Sequence, residues 1–283
     1  MQTEYDKELR LAMKLARDAG GAVMARYQRS DLDVQSKGAE GPVTEADRAA
    51  HRLIVGELAE AFPNDVVLSE EGDGESDNDD RRLKGDRTWI VDPLDGTADF
   101  IAQNGEFSIL IGLAVGGKPI MGVVYQPVGE NLFYAVTGQG AFVEAGEKPP
   151  TRLRVSDEKH IDRMTATVSR NHRSRSLDRM LEAIQPRNEV TCGSVGLKIA
   201  QVILGQADLY FHPSDRVKLW DTAAPQVLLE EAGGVLTDFA GEPLVYDRAE
   251  VAHLHGIAAS NGLAHTQLLA LVRPVAVEEK LID

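Results

Sequence analysis

The sequence predicts a layered α/β fold in two lobes, and three observations predict it. Two segments with helical spacing of apolar residues lead the chain. A run of short apolar segments separated by glycine turns follows. After residue 150 the pattern becomes an alternation of strand-like and helix-like segments.

The elements can be justified in order. From Glu4 to Arg29, the residues Leu9, Met13, Ala16, Gly20, Val23 and Met24 return at helical spacing with charges between them. Ser36 to Pro42 is a Gly/Pro loop. A second helix begins at Thr44, because Thr44-Glu45-Ala46-Asp47 resembles a capping box with Asp in the Glu position; it runs to about Ala61, before Pro63. Val66 to Leu68 is a short strand delivering Ser69-Glu70-Glu71. Gly72 to Asp80 is acidic and rich in turn formers, and reads as a surface loop. Thr88 to Val91 is a strand ending at Asp92. Phe107–Val115, Ile120–Tyr125, Leu132–Val136 and Ala141–Val143 then form an antiparallel run. Gly146 to Pro150 is the candidate boundary, giving an α+β lobe over 1–150 and an α/β lobe over 151–283. In the second lobe strands are expected at 166–169, 190–191, 209–211, 235–237 and 257–259. Helices are expected at 177–184, 196–204 and 222–232.

Composition narrows the function. The 283 residues carry 30 basic and 45 acidic side chains, a net charge of -15, which argues against a nucleic-acid polymer as partner. The lone Cys192 excludes an intramolecular disulfide framework and a thiolate metal cluster. No apolar run approaches the roughly 20 residues of a membrane span, and the first residues have no apolar signal region, so a cytoplasmic protein is expected. If the ligand is also anionic, something must bridge the two like charges.

The most informative segment is Trp89-Ile90-Val91-Asp92-Pro93-Leu94-Asp95-Gly96-Thr97. A strand runs into two aspartates, with Pro93 and Gly96 turning the chain between and after them. Such a turn can aim both carboxylates and a backbone carbonyl at one point, the oxygen shell a hard divalent cation takes. Taken alone, it also reads as an Asx-turn in which each Asp caps local N–H groups. Glu70 and Glu71 read alone as the start of a solvated loop, Asp221 as a helix N-cap, and Asp47 as a member of the capping box. Together they place carboxylates at strand ends and helix starts, where α/β proteins build their sites. A cluster of Glu70, Asp92, Asp95 and Asp221 repels itself unless cations join it.

At these residues the sequence resembles the lithium-sensitive, magnesium-dependent phosphatase superfamily of inositol monophosphatase, fructose-1,6-bisphosphatase and the 3'(2'),5'-bisphosphate nucleotidases. The resemblance runs from about residue 5 to about 262. Its elements are Pro42-Val43-Thr44-Glu45-Ala46-Asp47, Ser69-Glu70-Glu71, Asp92 to Thr97, and Trp220-Asp221-Thr222-Ala223-Ala224 with Glu231-Ala232-Gly233-Gly234. It implies an αβαβα sandwich and two or three Mg²⁺ ions. Glu70, Asp92 and the carbonyl of Leu94 match the first metal site, and Asp92, Asp95 and Asp221 the second. A third ion would use Glu70 with waters. Thr97, with Glu70 or Asp47, matches the group that activates the attacking water. Gly96 and Thr97 match amide donors to the substrate phosphate.

Within the superfamily the chain looks closest to the CysQ branch, the bacterial nucleotidases of sulfur assimilation. Asn104-Gly105-Glu106-Phe107-Ser108, Ser169-Arg170-Asn171-His172 and Val195-Gly196-Leu197-Lys198 carry that likeness. It implies substrate contacts from Ser169, Arg170, His172, Gly196 and Lys198 beside Gly96, Thr97 and Asp221. Arg170 and His172 also read as exposed loop residues, Lys198 as a solvated helix residue and Gly196 as a simple turn; His51 and His212 read as structural or exposed. Inositol monophosphatases usually carry a Glu seven residues before the last aspartate. Here that position is Ser214, with Arg216 and Lys218 nearby, which favours a substrate with a second anionic group. The expected activity is hydrolysis of adenosine 3',5'-bisphosphate to AMP and phosphate, with an inositol-1-phosphatase or a broad sugar-phosphate phosphatase as the alternative. The resemblance implies a monomer or a homodimer. The stretch from Gly72 to Asp86 reads as a surface insertion or as a lid over the metals.

Overall fold

The computed structural model describes residues 4–27, 29, 32–36, 38, 42–72 and 79–283. Most of the acidic stretch expected as a loop or lid, 73–78, lies outside the described residues. So do 37 and 39–41 of the expected Gly/Pro loop.

Helix α1 (Asp6–Tyr27) buries Ala12, Leu15, Ala16, Ala19 and Val23, the stripe its spacing predicts. The short strands β1 (Gln35–Ser36) and β2 (Pro42–Val43) pair antiparallel. Helix α2 (Glu45–Ala61) starts on the predicted capping box: Thr44 Oγ1 accepts from the Ala46 N–H, and Asp47 Oδ2 accepts from the Thr44 N–H at 2.8 Å.

Next come β3 (Val66–Ser69), the one-turn α3 (Asp80–Leu83), β4 (Thr88–Asp95) and the short α4 (Thr97–Ile101). Strands β5 (Ser108–Val115), β6 (Lys118–Gln126), β7 (Asn131–Val136), β8 (Gly140–Ala145) and β9 (Thr151–Arg152) complete a seven-stranded sheet in the order β3-β4-β5-β6-β7-β8-β9. Only the β3–β4 pair is parallel.

The second half adds β10 (Thr165–Ser169), α5 (Arg175–Ile184), β11 (Asn188–Cys192), α6 (Val195–Ile203), β12 (Leu209–His212), α7 (Leu219–Glu231), β13 (Val235–Thr237), β14 (Ile257–Ser260) and α8 (His265–Glu278). Its five strands run β11-β10-β12-β14-β13. The sequence reading ends at the strand over 257–259 and does not include α8. Pro274 interrupts that helix's pattern, although Leu268, Val272, Val275 and Ala276 are buried at helical spacing.

The layers are α1 and α2, the seven-stranded sheet, α6 and α7, the five-stranded sheet, and α5 and α8, as the sandwich expectation has it. The central apolar cluster joins Leu68, Ile90 and Leu110 of the first half to Ile199, Tyr210 and Val227 of the second. It runs through the expected boundary: β9 still pairs with β8, and Leu153 joins the core.

Helix α7 is the spine of this core, and two glycines admit it. Gly112 of β5 and Gly122 of β6 are register partners. A Cβ at Gly122 would lie 2.2 Å from the Ala224 carbonyl oxygen, and one at Gly112 3.0 Å from the Ala224 nitrogen. The bare backbone there lets the helix sit directly on the sheet. Gly122→Ala should therefore push α7 outward and cost about 1–3 kcal/mol, read as a lower midpoint in urea unfolding. An unchanged midpoint would sink this account of the close approach.

Candidate active site

The site grows from β4. Asp92 and Asp95 lie on either side of a register shift against β5, where Pro93 and Leu94 leave the regular ladder. Asp92 Oδ1 accepts from the Leu94 N–H at 2.9 Å, so the Asx-turn is real. The turn and the convergence are compatible: oxygens of Asp92, Asp95 and Asp221 all lie within 4.8 Å of one another. Glu70 follows the end of β3 and lines the same cavity.

Asp221 is the third residue of α7, not its N-cap. The cap is Lys218, whose backbone N–H donates to Asp221 Oδ2 at 2.6 Å. The helix begins three residues earlier than the sequence suggests because Leu219 is drawn into the core, fully buried.

Electrostatics single out the cluster. Burial, followed by the charges of Glu70, Asp95 and Asp221, holds the Asp92 carboxyl well above the ordinary carboxylate range. Burial and the Asp95 charge do the same for Asp221. Burial raises Asp95 too, against the pull of Lys198 and of its own hydrogen bonds.

Those bonds come from α6. Asp95 Oδ2 accepts from Ser194 Oγ at 2.5 Å and from the Gly196 N–H at 2.7 Å, and Oδ1 from the Val195 N–H at 3.1 Å. The helix start expected to contact substrate through Gly196 thus holds Asp95, a carboxylate of the chain itself.

Asp47 is the second focus. It is buried, and burial raises its carboxyl despite hydrogen bonds from Thr44 and Thr97. Its Oδ2 serves the capping box and its Oδ1 accepts from Thr97 Oγ1 at 2.8 Å. Thr97 Oγ1 also lies 3.1 Å from the Leu94 carbonyl oxygen. Its single hydrogen serves one acceptor at a time. Gly96, at φ 95°, turns the chain into α4; a Cβ there would meet the Glu106 carbonyl oxygen at 2.8 Å.

A cavity of about 440 Å³ opens over these groups. Ser169 and His172 line it, as do Gly96, Thr97, Lys198 and Asp221. Arg170 is not part of that wall. Its guanidinium pairs with Glu106, Nη2 to Oε1 at 2.5 Å and Nε to Oε2 at 3.1 Å. Lys198 is not a solvated helix residue: it is 1% exposed, and its Nζ donates to the carbonyls of Cys192 and Gly193 at 3.2 and 2.8 Å.

His212 joins the wall although its sequence context reads as structural. It ends β12, and Ser214 Oγ lies 3.2 Å from its Nδ1. Burial, with Lys198, His172 and Arg216 around it, pushes the His212 ring down to about 3, so it is neutral at physiological pH. Partial burial, then Arg216 and Lys198, lowers His172 as well. Its place at the end of a strand that faces the cavity is the one signal that could have marked His212. Tyr210 also lines the cavity, and its buried hydroxyl has no hydrogen-bond partner among the described residues.

The inositol monophosphatase family model matches residues 4–276. The 3'(2'),5'-bisphosphate nucleotidase CysQ of Escherichia coli K12 is 38% identical over 240 residues, 84% of this chain and 93% of that protein. The fructose-1,6-bisphosphatase/inositol-1-monophosphatase of Thermotoga maritima is 33% identical over 272 residues, 95% and 97% of the two chains. A solved Thermotoga maritima IMPase superposes with a TM-score of 0.80 at 33% identity, covering 96% of this chain and 99% of its own. With this match over nearly its whole length and acidic groups gathered from a strand end and a helix start, the chain belongs to the inositol monophosphatase family, metal-dependent phosphatases of small phosphorylated substrates.

Proposed function

We propose that this chain is a Mg²⁺-dependent 3'(2'),5'-bisphosphate nucleotidase that converts adenosine 3',5'-bisphosphate to AMP and phosphate in the cytoplasm, as part of sulfur assimilation. The observation that carries the reading is the polarity of the cavity. The cavity that holds the converging Asp92, Asp95 and Asp221 is also lined by Lys198, Arg216 and Lys218, with His172 and His212 among the other lining residues. An inositol ring offers hydroxyls around a single phosphate, whereas a nucleoside bisphosphate brings a second dianion for Arg216 and Lys218. The nucleotidase relative supports the same choice.

The donor set suits Mg²⁺. All the charged donors are carboxylates, and three of them are drawn together where, among the described residues, no basic side chain bonds to them. Glu70, Asp92, Asp95, Asp221 and the Leu94 carbonyl would hold two or three ions. When bound, such ions lower the pKa of a coordinated water and compensate charge on the departing ester oxygen.

The chain's own residues supply the rest. Thr97 Oγ1 donates its hydrogen to Asp47, which leaves its lone pairs free to accept a proton from the attacking water. Asp47, raised by burial, takes up the proton that Thr97 releases. Glu70, which lines the same cavity, is the alternative partner for Thr97. The Gly96 and Thr97 amides receive the substrate phosphate, and Ser169, His172 and Lys198 line the path of the rest of the substrate. Attack is in line, so the configuration at phosphorus inverts.

Three outcomes test these assignments. Phosphate release with Mg²⁺ should be fastest from adenosine 3',5'-bisphosphate, compared with inositol 1-phosphate and fructose 1,6-bisphosphate, and Li⁺ should inhibit it. Preference for inositol 1-phosphate would overturn the nucleotidase assignment.

Arg216→Ala should raise KM for the nucleotide about ten-fold and leave KM for inositol 1-phosphate within about threefold, the loss of one charged hydrogen bond. Equal losses on both substrates would count against a second-anion contact.

Asp92→Asn should raise the thermal midpoint in EDTA, since it removes a charge from a repelling cluster. It should also lose most of the Mg²⁺ stabilisation, worth about 2.7 kcal/mol at a hundred times Kd in the wild type. The pH dependence has a definite sign. Each raised carboxyl contributes full stability below its ordinary value of 3.8 and loses it as pH rises through its raised folded value. The wild-type midpoint in EDTA should therefore fall as pH rises above about 4, and Mg²⁺ should flatten the trend.

A further inference from the structure

Asp99 is a buried carboxylate that neither the metal cluster nor the water-activating pair uses. It sits in the one turn of α4, two residues after Thr97, and is 1% exposed. Its Oδ1 accepts from Asn104 Nδ2 at 2.5 Å, and its Oδ2 from Asn171 Nδ2 at 2.6 Å. Arg170 Nε lies 3.5 Å from Oδ1.

Asn171 and Arg170 belong to the second half of the chain, and that half closes further around Asp99. A Cβ at Gly193 would lie 1.9 Å from Asp99 Oδ2, so only glycine fits there. The Gly193 N–H donates to Glu106 Oε2 at 2.9 Å, and Glu106 in turn holds Arg170.

Helix α4 has five residues and follows a glycine at positive φ. One turn of helix is too short to hold its orientation by itself; Phe100, packed on Tyr27 and Phe107, anchors it to the core, and Asp99 ties it to the second half of the chain. The Thr97 hydroxyl, on the first residue of that turn, lies 2.8 Å from Asp47 Oδ1, so the contact depends on how the turn is rolled.

We propose that Asp99 is a positioning residue: clasped by Asn171 and Gly193, it fixes the roll of α4 and so keeps the Thr97 hydroxyl on Asp47. The inference rests on the reading that Thr97 and Asp47 activate the attacking water. The chemistry of position 99 is specific. A carboxylate accepts from both amides and offers no hydrogen of its own, whereas an asparagine would turn its NH₂ onto one of two other NH₂ groups.

Exchanging the partners tests it. Kinetics are read with Mg²⁺ on whichever of adenosine 3',5'-bisphosphate, inositol 1-phosphate and fructose 1,6-bisphosphate the wild type hydrolyses fastest. Asp99→Asn alone and Asn171→Asp alone should each lower kcat about ten- to hundred-fold, with KM and the Mg²⁺ concentration for half activation within about threefold. The double exchange, Asp99→Asn with Asn171→Asp, puts the amide opposite a carboxylate again and should return kcat to within about threefold of wild type. Asp99→Asn added to Thr97→Ala should cost less than about threefold further, because both act through one hydroxyl. Should Asp99→Asn fail to fold, Asn171→Ala, at an exposed residue, carries the same kcat expectation.

A kcat near wild type in the single variants would overturn the clasp. So would a double exchange as slow as the singles while Thr97→Ala is slow. Thr97→Ala at wild-type kcat would instead overturn the water-activation reading, and the inference with it.

Discussion

Three carboxylates with oxygens inside 4.8 Å of one another, two of them almost out of water, set the terms for the rest of this structure. At an effective dielectric of about 20, two unit charges about 4 Å apart repel by roughly 4 kcal/mol. The fold counters that repulsion by restraint. Each carboxylate accepts a backbone N–H: Asp92 from Leu94, Asp221 from Lys218, and Asp95 from Val195 and Gly196. The amides hold the oxygens in place, and at Asp95 and Asp221 they favour the ionised form against the burial that raises both carboxyls.

The same restraints unite the halves of the chain. Asp95 comes from the first sheet and is fastened by the start of α6; Asp221 comes from α7, which lies between the two sheets. Glu106 and Arg170, 64 positions apart, add a pair between the two halves. Arg82, buried in α3, donates to the Arg248 carbonyl oxygen at 2.7 Å and ties that turn to the second half. A site assembled from both sides of the core gains rigidity from packing that has nothing to do with its chemistry.

Local pattern revealed a good part of this. The capping box at Thr44 and Asp47, the strand running into Asp92 and the turn at Asp92 to Gly96 are nearest-neighbour signals, and each is present. Long-range partnerships left no such trace. Arg170 looks like any exposed arginine until Glu106 is beside it. Lys198 looks like a solvated helix charge until the turn at Cys192 and Gly193 closes over its ammonium group. Gly196 reads as a phosphate contact because nothing in its own neighbourhood announces that Asp95 reaches its amide first. Helix α8 was hidden by Pro274, and His212 by the absence of any motif around it.

The placement of α7 bears on how this protein can move. Many two-lobed enzymes open and close as jaws about a pliable joint. Here the element between the sheets is a helix buried against both, seated on bare glycine backbone and carrying a carboxylate of the acidic cluster in its first turn. Swinging one sheet away from the other would drag Asp221 off Asp92 and Asp95. A jaw motion at this joint would therefore cost core packing and the acidic cluster together, so the cavity and the core stand or fall as one unit.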